Sequence, residues 1–185
     1  MKTILTFILF FCIGSAYEVE HFLMPKDGKM AERSLIQSID EAKSTIDIAM
    51  FMITNKKLTH ALIKRASKGH IRIRVIADYT MNNSFSKSSK AKHLLSKKNI
   101  MLYTIRGLPK QETKKKKEQY GIMHSKLMIV DNKTVYAGSA NWTYSAFSYN
   151  YELLIKIVDS TTAKLYSYYF EDMFRFAIPY TLESR

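Results

Sequence analysis

The residues most able to do chemistry stand in one short stretch, where His124, Lys126 and Asp131 follow the spacing H-x-K-x4-D. The apolar residues around them predict a buried strand over residues 122–130. Side chains alternate along a strand at about 3.3 Å per residue, so His124 and Lys126 would share one face about 6.6 Å apart. A nucleophilic imidazole beside a fixed cation suits attack on a phosphodiester.

A second polar block, with the sequence Gly-Ser-Ala-Asn, occupies residues 138–141. Ser139 and Asn141 could donate hydrogen bonds to the same phosphoryl oxygens that Lys126 neutralises. Asp131 stands at the predicted end of the strand, which is a turn position. We predict that Asp131 is structural, as the acceptor of an Asx-type turn, and that it takes no part in the reaction.

Together with Glu152, these motifs resemble the phospholipase D superfamily, in particular its short bacterial members with a single motif, the Nuc-type endonucleases. The resemblance runs from about Val19 to Phe176, and the order and spacing of the motifs are preserved. A nucleophilic imidazole needs an acceptor for its other ring nitrogen, and the resemblance implies that Glu152 is that acceptor for His124. On the sequence alone, Glu152 could also be a surface or capping carboxylate.

The chain holds one copy of the motif, because no lysine stands two residues after any of its other histidines, which are His21, His60, His70 and His93. Larger members of the superfamily carry two copies. One histidine cannot be both nucleophile and general acid on opposite sides of an in-line phosphorus. We therefore predict a two-fold symmetric homodimer with a shared site, in which one His124 attacks to form a phosphohistidine and the other protonates the leaving oxygen.

The sequence predicts that the reaction needs no metal and no cofactor. The aspartates are scattered, and the chain contains neither an H-E-x-x-H pattern nor a paired-carboxylate spacing. The single cysteine, Cys12, lies within the first 16 residues, so the rest of the chain can form neither a disulfide nor a thiolate metal site.

Residues 1–16 have the layout of a secretory signal peptide, since Lys2 precedes an apolar run from Ile4 to Ile13 and small residues follow before Tyr17. A bilayer span needs about 20 apolar residues, and this run is shorter. We expect cleavage of the leader, with an uncleaved anchor or a buried segment as alternatives. Export would take the protein to the periplasm, cell surface or medium of a bacterium, where peripheral membrane association is an option.

The charge balance favours a polyanionic partner, because 29 basic residues face 16 acidic ones and the formal net charge is +13. Nucleic acid and an anionic lipid surface both fit this balance. A run of four lysines precedes the motif strand, and aromatic residues follow it. The candidates for binding nucleic acid are Lys114, Lys115, Lys116, Lys117, Trp142 and Tyr144. The alternatives are a solvated lysine loop and core packing of the aromatic rings.

Helical and strand patterns alternate without a linker, which predicts a single domain over residues 17–185. Helices are expected over residues 30–43, 55–68, the later part of 84–99 and 161–176, and strands over 45–53, 71–77, 100–105, 122–130, 134–137 and 152–158. Asn55 is the expected N-cap of the second helix. The alternation implies an α/β fold with helices on both faces of a sheet. The resemblance implies a mixed sheet in an α/β/α sandwich with one catalytic motif per chain.

The predicted function is an exported, metal-independent phosphodiesterase that cleaves DNA without sequence specificity and prefers single strands, with RNA as a further candidate substrate. Two alternatives stay open. One is a phospholipase D that acts on membrane phospholipids, which would need an exposed apolar entry surface. The other is a basic surface protein that binds nucleic acid without catalysis.

Overall fold

The computed structural model describes residues 18–83, 87–110 and 119–181. The strands are β1 (Glu18–Met24), β2 (Thr45–Met50), β3 (Arg72–Asp78), β4 (Ile100–Ile105), β5 (Lys126–Val130), β6 (Thr134–Gly138), β7 (Glu152–Val158) and β8 (Ile178–Pro179). The helices are α1 (Gly28–Glu41), α2 (Lys56–Ser67), α3 (Tyr79–Asn82), α4 (Tyr144–Ser148) and α5 (Ser160–Phe174), with a 3₁₀ helix over Ala91–Ser96.

The eight strands of the described residues form one open sheet in the order β1-β7-β6-β5-β2-β3-β4-β8. Strands β2, β3 and β4 are parallel to one another, and α2 and the 3₁₀ helix lie in the connections between them. The remaining neighbours pair antiparallel. The sheet is therefore mixed, as the resemblance implied.

Helices cover both faces of this sheet. On one face, α1, α2 and α4 enclose the larger core, in which Leu35, Ile48 and Trp142 are fully buried. On the other face, α5 packs Phe170 into a smaller core that includes Ile129. Alternate residues of each strand supply the two cores, because successive side chains point to opposite faces. The predicted α/β/α sandwich is confirmed.

A buried ion pair fastens α5 to the sheet. Arg74 of β3 donates to both carboxylate oxygens of Asp47 at 2.7 Å and to Glu171 of α5 at 2.7 Å. Its guanidinium carbon also lies 4.8 Å and 4.9 Å from the ring centroids of Phe170 and Phe174. The hydrogen bonds to Asp47 and then to Glu171 raise the pKa of Arg74 in spite of burial, so the cation persists inside the fold.

One edge of the sheet, which we call the upper edge, gathers the residues that the sequence singled out. The C-terminal ends of β2, β3, β4 and β6 lie there with the N-terminal ends of β5 and β7, because Lys126 pairs with Met50 and Gly138 pairs with Leu154. In open α/β sheets, ligands bind beyond the carboxyl ends of the parallel strands. The upper edge is therefore the place to look for a site.

The second helix begins as predicted. The side-chain oxygen of Asn55 accepts hydrogen bonds from the N–H groups of Lys57 and Leu58, so the predicted N-cap is confirmed. At the other end, Gly69 takes a positive φ of 72°, a conformation that glycine adopts at little cost. Local sequence signals therefore set both ends of α2.

Two predicted elements need correction. The strand expected over residues 122–130 begins only at Lys126, so His124 precedes β5. Its apolar pattern extends further because Met123 is buried against the core without pairing in the sheet. The helix expected in the later part of residues 84–99 is the short 3₁₀ helix.

Two regions with predicted roles lie outside the described residues, namely the leader over residues 1–16 and the lysine run Lys114–Lys117. The predictions made for them stay predictions. Within the part of the chain that is described, no helix combines the length and the hydropathy that a bilayer crossing requires.

Candidate active site

The five residues predicted to be catalytic come together at the upper edge. His124 precedes β5, Lys126 begins it, Ser139 and Asn141 follow β6, and Glu152 begins β7. Strands β5, β6 and β7 are neighbours in the sheet, and neighbouring strands lie about 4.8 Å apart. Sheet pairing therefore places motifs that are distant in sequence within one site.

His124 lies in the segment before β5 and exposes its imidazole. The ring meets Phe51 edge-on with the centroids 4.7 Å apart, and it has no hydrogen-bond partner among the described residues. The backbone on either side is fixed, because Asp78 accepts from the Met123 N–H at 3.0 Å and the Ser125 carbonyl accepts from the Phe51 N–H at 3.1 Å. An open imidazole thus stands on a firmly held backbone.

Lys126 is buried beside this imidazole, with 6 % of its surface exposed. Its Nζ donates to the carbonyl of His124 at 2.6 Å and lies 5.0 Å from the ring centroid of Phe51. Burial lowers the pKa of Lys126, and the charge of nearby Glu152 offsets only part of this effect. The ammonium is held in one position, as a group that stabilises a phosphoryl oxygen should be.

Ser139 and Glu152 are joined across β6 and β7. Gly138 allows the close approach, since a Cβ there would stand 2.1 Å from the carbonyl oxygen of Leu153. The Ser139 hydroxyl accepts from the Leu153 N–H at 3.1 Å and donates to Glu152 at 2.5 Å. The other carboxylate oxygen of Glu152 accepts from the side chain of Asn150 at 3.2 Å. Groups of their own strands therefore fix both side chains.

These bonds bear on two predicted roles. Within the described contacts, the carboxylate of Glu152 bonds Ser139 and Asn150 and makes no bond to His124. The tautomer-fixing role that the resemblance implied for Glu152 stays a prediction. Donation from Ser139 to a phosphoryl oxygen also stays a prediction, and it requires the hydroxyl to exchange its bond with Glu152 for one with the substrate.

Asn141 and Trp142 are adjacent in sequence, but their side chains differ in their surroundings. The side-chain oxygen of Asn141 is buried and has no hydrogen-bond partner within the described parts of the chain. Buried polar groups are normally bonded, so this oxygen is available to accept a hydrogen bond from an incoming donor, and a phosphoryl oxygen would have to be bound by the N–H groups of the same amide. Trp142 is 2 % exposed and its carbonyl accepts from the N–H groups of Thr54 and Asn55. Its predicted base-stacking role is wrong, because the core encloses the ring.

Tyr144, the other aromatic candidate, is exposed at the start of α4. Its ring meets that of Tyr149 edge-on at 5.6 Å between centroids. Its role in binding nucleic acid stays a prediction, as does that of Lys114–Lys117.

Asp131 closes the motif at the opposite end of β5. Its carboxylate accepts from the N–H groups of Lys43, Ser44 and Thr45 at 2.7, 2.7 and 2.9 Å, and from the Ser44 hydroxyl at 2.9 Å. Burial raises the pKa of Asp131, but these hydrogen bonds together outweigh burial and the pKa is lowered. The carboxylate acts on the fold, as predicted. It secures the start of β2, however, and does not close a local Asx turn.

Two residues beside the site, Asp78 and Asn82, were not predicted from the sequence, and both bind backbone groups next to it. Asp78 caps α3 and also holds Met123. The Asn82 side chain accepts from the Ile53 N–H at 3.2 Å and donates to the Phe51 carbonyl at 2.7 Å. The sequence did contain a signal for Asp78. It is a polar residue at the C-terminal end of an apolar strand of the parallel type, and ligand sites in such sheets lie beyond that end of the strands.

The chemistry of the site follows from its groups. It offers an exposed imidazole, a buried ammonium, a side-chain amide and a carboxylate. Within the described ranges, no group of three or more His, Cys, Asp or Glu side chains is placed to hold a metal ion. A nucleophile, a cation and a hydrogen-bond donor at one edge fit attack on a phosphoryl group.

Comparison with known proteins gives the same picture. A family model described as cardiolipin synthase, PLD-like domain, matches residues 35–174. The solved structure of NucT from Helicobacter pylori is 31% identical with a TM-score of 0.82, and the match covers 89% of this chain and 100% of that one. Nuc from Salmonella typhimurium, a phospholipase D family member, is 23% identical with a TM-score of 0.71 over 89% and 99% of the two chains, and shares the fold.

Among curated proteins, a phospholipase D of Rickettsia prowazekii is 29% identical over 133 residues, which are 71% of this chain and 57% of the relative. The chain thus spans little more than half the length of that relative. The family match covers most of the described residues, and the motif residues lie together at the upper edge. The chain therefore belongs to the phospholipase D-like family and has the fold of its Nuc-type members.

Proposed function

We propose that this protein is a metal-independent phosphodiesterase that cleaves DNA in a site shared by two subunits, with single strands preferred and RNA as a further candidate substrate. The observation that carries the proposal is the exposed imidazole of His124, which has no hydrogen-bond partner among the described residues and stands beside the buried ammonium of Lys126. Membership of the phospholipase D-like family supports hydrolysis of a phosphodiester.

In the first step, a neutral ring nitrogen of His124 attacks the phosphorus atom. The N–P bond forms while the P–O bond to the leaving alkoxide breaks, and the partner subunit's His124 donates its proton to that alkoxide. Lys126 and the Asn141 amide stabilise the negative charge that develops on the phosphoryl oxygens.

In the second step, a water molecule gives its proton to the partner subunit's His124, which the first step left neutral. The water oxygen bonds to phosphorus as the N–P bond breaks. This step releases a phosphomonoester and restores both imidazoles to their starting protonation states. Each turnover therefore consumes one water and needs no other reactant.

The shared site can be tested by subunit exchange. Wild-type protein is mixed with an excess of a His124→Ala chain, and nuclease activity is measured at constant wild-type concentration. We expect activity to fall as heterodimers form, because each site would then lack one imidazole. Mixed dimers that keep the full wild-type activity would contradict a shared site.

The excess of positive charge supports a nucleic acid substrate. If phosphate contacts dominate binding, affinity should fall steeply with salt and depend little on sequence. The proposal is tested by incubating the protein with a single-stranded oligonucleotide, plasmid DNA and phosphatidylcholine vesicles, each in EDTA. We expect rapid cleavage of the oligonucleotide, slower nicking of the plasmid and intact vesicles. Loss of all cleavage in EDTA with rescue by Mg²⁺ would contradict the metal-independent reaction.

A lipid substrate is the second candidate, favoured by the name of the Rickettsia relative and by the description of the matching family. Hydrolysis of the vesicles without cleavage of either DNA would establish it. A binding protein without catalysis is the third. Such a protein would cleave neither DNA, and the His124→Ala substitution would leave its affinity for the oligonucleotide unchanged.

We also propose that the protein is exported from a bacterial cell, on the basis of the leader pattern in residues 1–16. Fractionation of expressing cells tests this step, and we expect the shortened chain outside the cytoplasm. A full-length chain in the cytoplasm would contradict it.

A further inference from the structure

An open cleft of about 510 Å³ lies at the upper edge on the β3 and β4 side of His124. We call it the Arg106 cleft. Its walls combine a cation with aromatic and apolar side chains, which include Tyr79, Arg106, Leu108, Tyr120, Phe176 and Ile178. Its volume lies within the range of small-ligand pockets. The residues placed in the reaction do not line it.

The guanidinium of Arg106 lies over two aromatic rings of this cleft. Its guanidinium carbon lies 4.1 Å from the ring centroid of Tyr79 and 5.3 Å from that of Tyr120. Arg106 forms no ion pair with a carboxylate in the described parts of the chain. Stacking fixes the plane of a guanidinium while leaving the N–H groups at its rim able to donate. The cleft thus presents an oriented cation that can bind an anion.

The cleft is joined to the catalytic segment by the backbone. The Gly107 N–H donates to the Gly121 carbonyl at 3.0 Å, and the Gly121 N–H donates to the Leu108 carbonyl at 2.9 Å. Residue 121 leads directly toward His124, and Asp78, which precedes Tyr79, holds the same segment. A ligand in the cleft would therefore lie on the approach to the imidazole.

Distance along the upper edge can be counted in strands. Arg106 follows β4 and Lys126 begins β5, and the order β5-β2-β3-β4 places them three strand spacings apart. Three spacings amount to about 14 Å. This length corresponds to about four nucleotides at the 3.4 Å rise of a stacked strand, and to fewer in an extended one.

We propose that the Arg106 cleft binds an unpaired base of single-stranded DNA and its adjoining phosphate, a few nucleotides from the phosphate that His124 attacks. The proposal rests on the proposed function and deepens it. The aromatic and apolar walls stack the base, and Arg106 binds the phosphate. A paired base cannot enter unless it is flipped out of the duplex, which costs free energy. The cleft would therefore be a source of the preference for single strands.

The apolar walls alone would also suit a lipid acyl chain. A phospholipid also carries an anionic phosphate for Arg106, but its acyl chains are not planar and cannot stack on the rings of Tyr79 and Tyr120. A nucleotide uses both components of the cleft, because its base is planar and its phosphate is anionic. Stacking of a planar base, together with binding of its phosphate, therefore favours a nucleic acid strand as the occupant.

The main test is Arg106→Ala. Binding of a fluorescein-labelled ten-nucleotide oligo-dT is measured by anisotropy in EDTA, together with kcat/KM for that oligonucleotide, for a duplex, and for bis(p-nitrophenyl) phosphate. We expect Kd for oligo-dT to rise about tenfold, which is about 1.4 kcal/mol, and kcat/KM for oligo-dT to fall to a similar extent through KM. The small diester cannot reach the cleft and so makes no contact with Arg106. Its kcat/KM should therefore stay within about twofold of the wild-type value, well below the tenfold change expected for oligo-dT.

Arg72→Ala is the matched control. Arg72 is exposed at the start of β3, so it lies at the opposite edge of the sheet and its loss removes the same charge. A second variant, Leu108→Asp, places a carboxylate in the cleft at a side chain that is 86 % exposed. We expect it to weaken oligo-dT binding by repelling phosphates, while Arg72→Ala has a much smaller effect.

The proposal would be overturned if both cleft variants bound oligo-dT as the wild type does, if Arg72→Ala had an equal effect, or if the variants impaired hydrolysis of anionic phospholipid vesicles while sparing oligo-dT. The binding measurement does not depend on turnover. A wild type that failed to hydrolyse the small diester would therefore refute the proposed function, and oligo-dT affinity would still decide the role of the cleft.

Discussion

The two ends of β5 carry parts of the same motif and treat them in opposite ways. At one end, the Asp131 carboxylate accepts four hydrogen bonds from residues 43–45. At the other end, the His124 imidazole is exposed and has no hydrogen-bond partner among the described residues. The same short motif thus supplies a carboxylate that stabilises the fold and an imidazole that remains exposed to solvent.

Lys126 stands between these extremes. It is buried like a framework residue, yet it begins β5 directly after the segment that carries the imidazole. Burial of a charge costs stability unless its partners compensate. We therefore expect a buried ammonium at this position to serve the reaction and not to add stability.

Replacing His124 with Ala should give the largest effect. We expect kcat to fall at least about 10⁴-fold, because the nucleophile is lost. The free energy of unfolding should change by only about 0.5 kcal/mol, since the side chain is exposed. Oligonucleotide hydrolysis and urea denaturation measure the two quantities, and a large loss of stability would show that the imidazole also supports the fold.

Replacing Lys126 with Met should lower kcat by about 10²- to 10³-fold through the loss of charge stabilisation. The same variant should be as stable as the wild type or more so, because an apolar side chain replaces a buried ammonium. Thermal unfolding and steady-state kinetics test both parts. If the variant unfolds at a clearly lower temperature than the wild type, Lys126 stabilises the fold, as Asp131 does.

Replacing Asp131 with Ala should do the reverse of the His124 substitution. We expect the free energy of unfolding to fall by about 2–3 kcal/mol, because three N–H groups and a hydroxyl lose a charged acceptor. Activity per folded molecule should not change. Asp131→Asn is the control, since asparagine tolerates the positive φ of 53° and retains one acceptor, so its loss should be smaller.

The pH dependence of stability gives a further check on Asp131. Its pKa is lowered in the folded state, so its contribution is present at neutral pH and is lost as the pH falls through the folded value. The acid side of the stability curve should therefore be shallower in Asp131→Asn than in the wild type. Equal slopes would mean that the carboxylate is not the acceptor that the structure shows.

The smallest expected effect concerns alkaline pH. Because burial lowers the pKa of Lys126, its ammonium loses a proton at a lower pH than an exposed lysine does. We expect kcat/KM to decline on the alkaline side as the pH rises through this lowered value. Lys126→Arg should move that decline to higher pH at a reduced maximal rate, because arginine keeps its proton. An unmoved decline would assign it to another group.

Local patterns predicted much of the fold. Helical periodicity and the Asn55 cap located α2, and apolar runs located the central strands, because burial on both faces leaves a clear signature. The strand β1 went unpredicted. It lies at the edge of the sheet, and its exposed positions include Glu18 and His21, so its sequence lacks the apolar run of a central strand.

The residues predicted to be catalytic were found from motif spacing and from the resemblance, and the structure brings them together at the upper edge. The contacts between them were not predictable, since the bond from Ser139 to Glu152 depends on the register of β6 and β7. The same limit applies to the aromatic residues. Trp142 is buried and Tyr79 faces a cleft, and this distinction depends on long-range packing that spacing does not encode.

The pairing of β1 has a consequence for the nascent chain. In the sheet of the described residues, β1 pairs only with β7. During synthesis β1 therefore has no partner strand until β7 has also been made. Until then it is an unpaired strand that could associate with other chains. The carboxylates of Glu18 and Glu20 place negative charge on this strand, and we expect them to limit its association with other chains while the protein is being made.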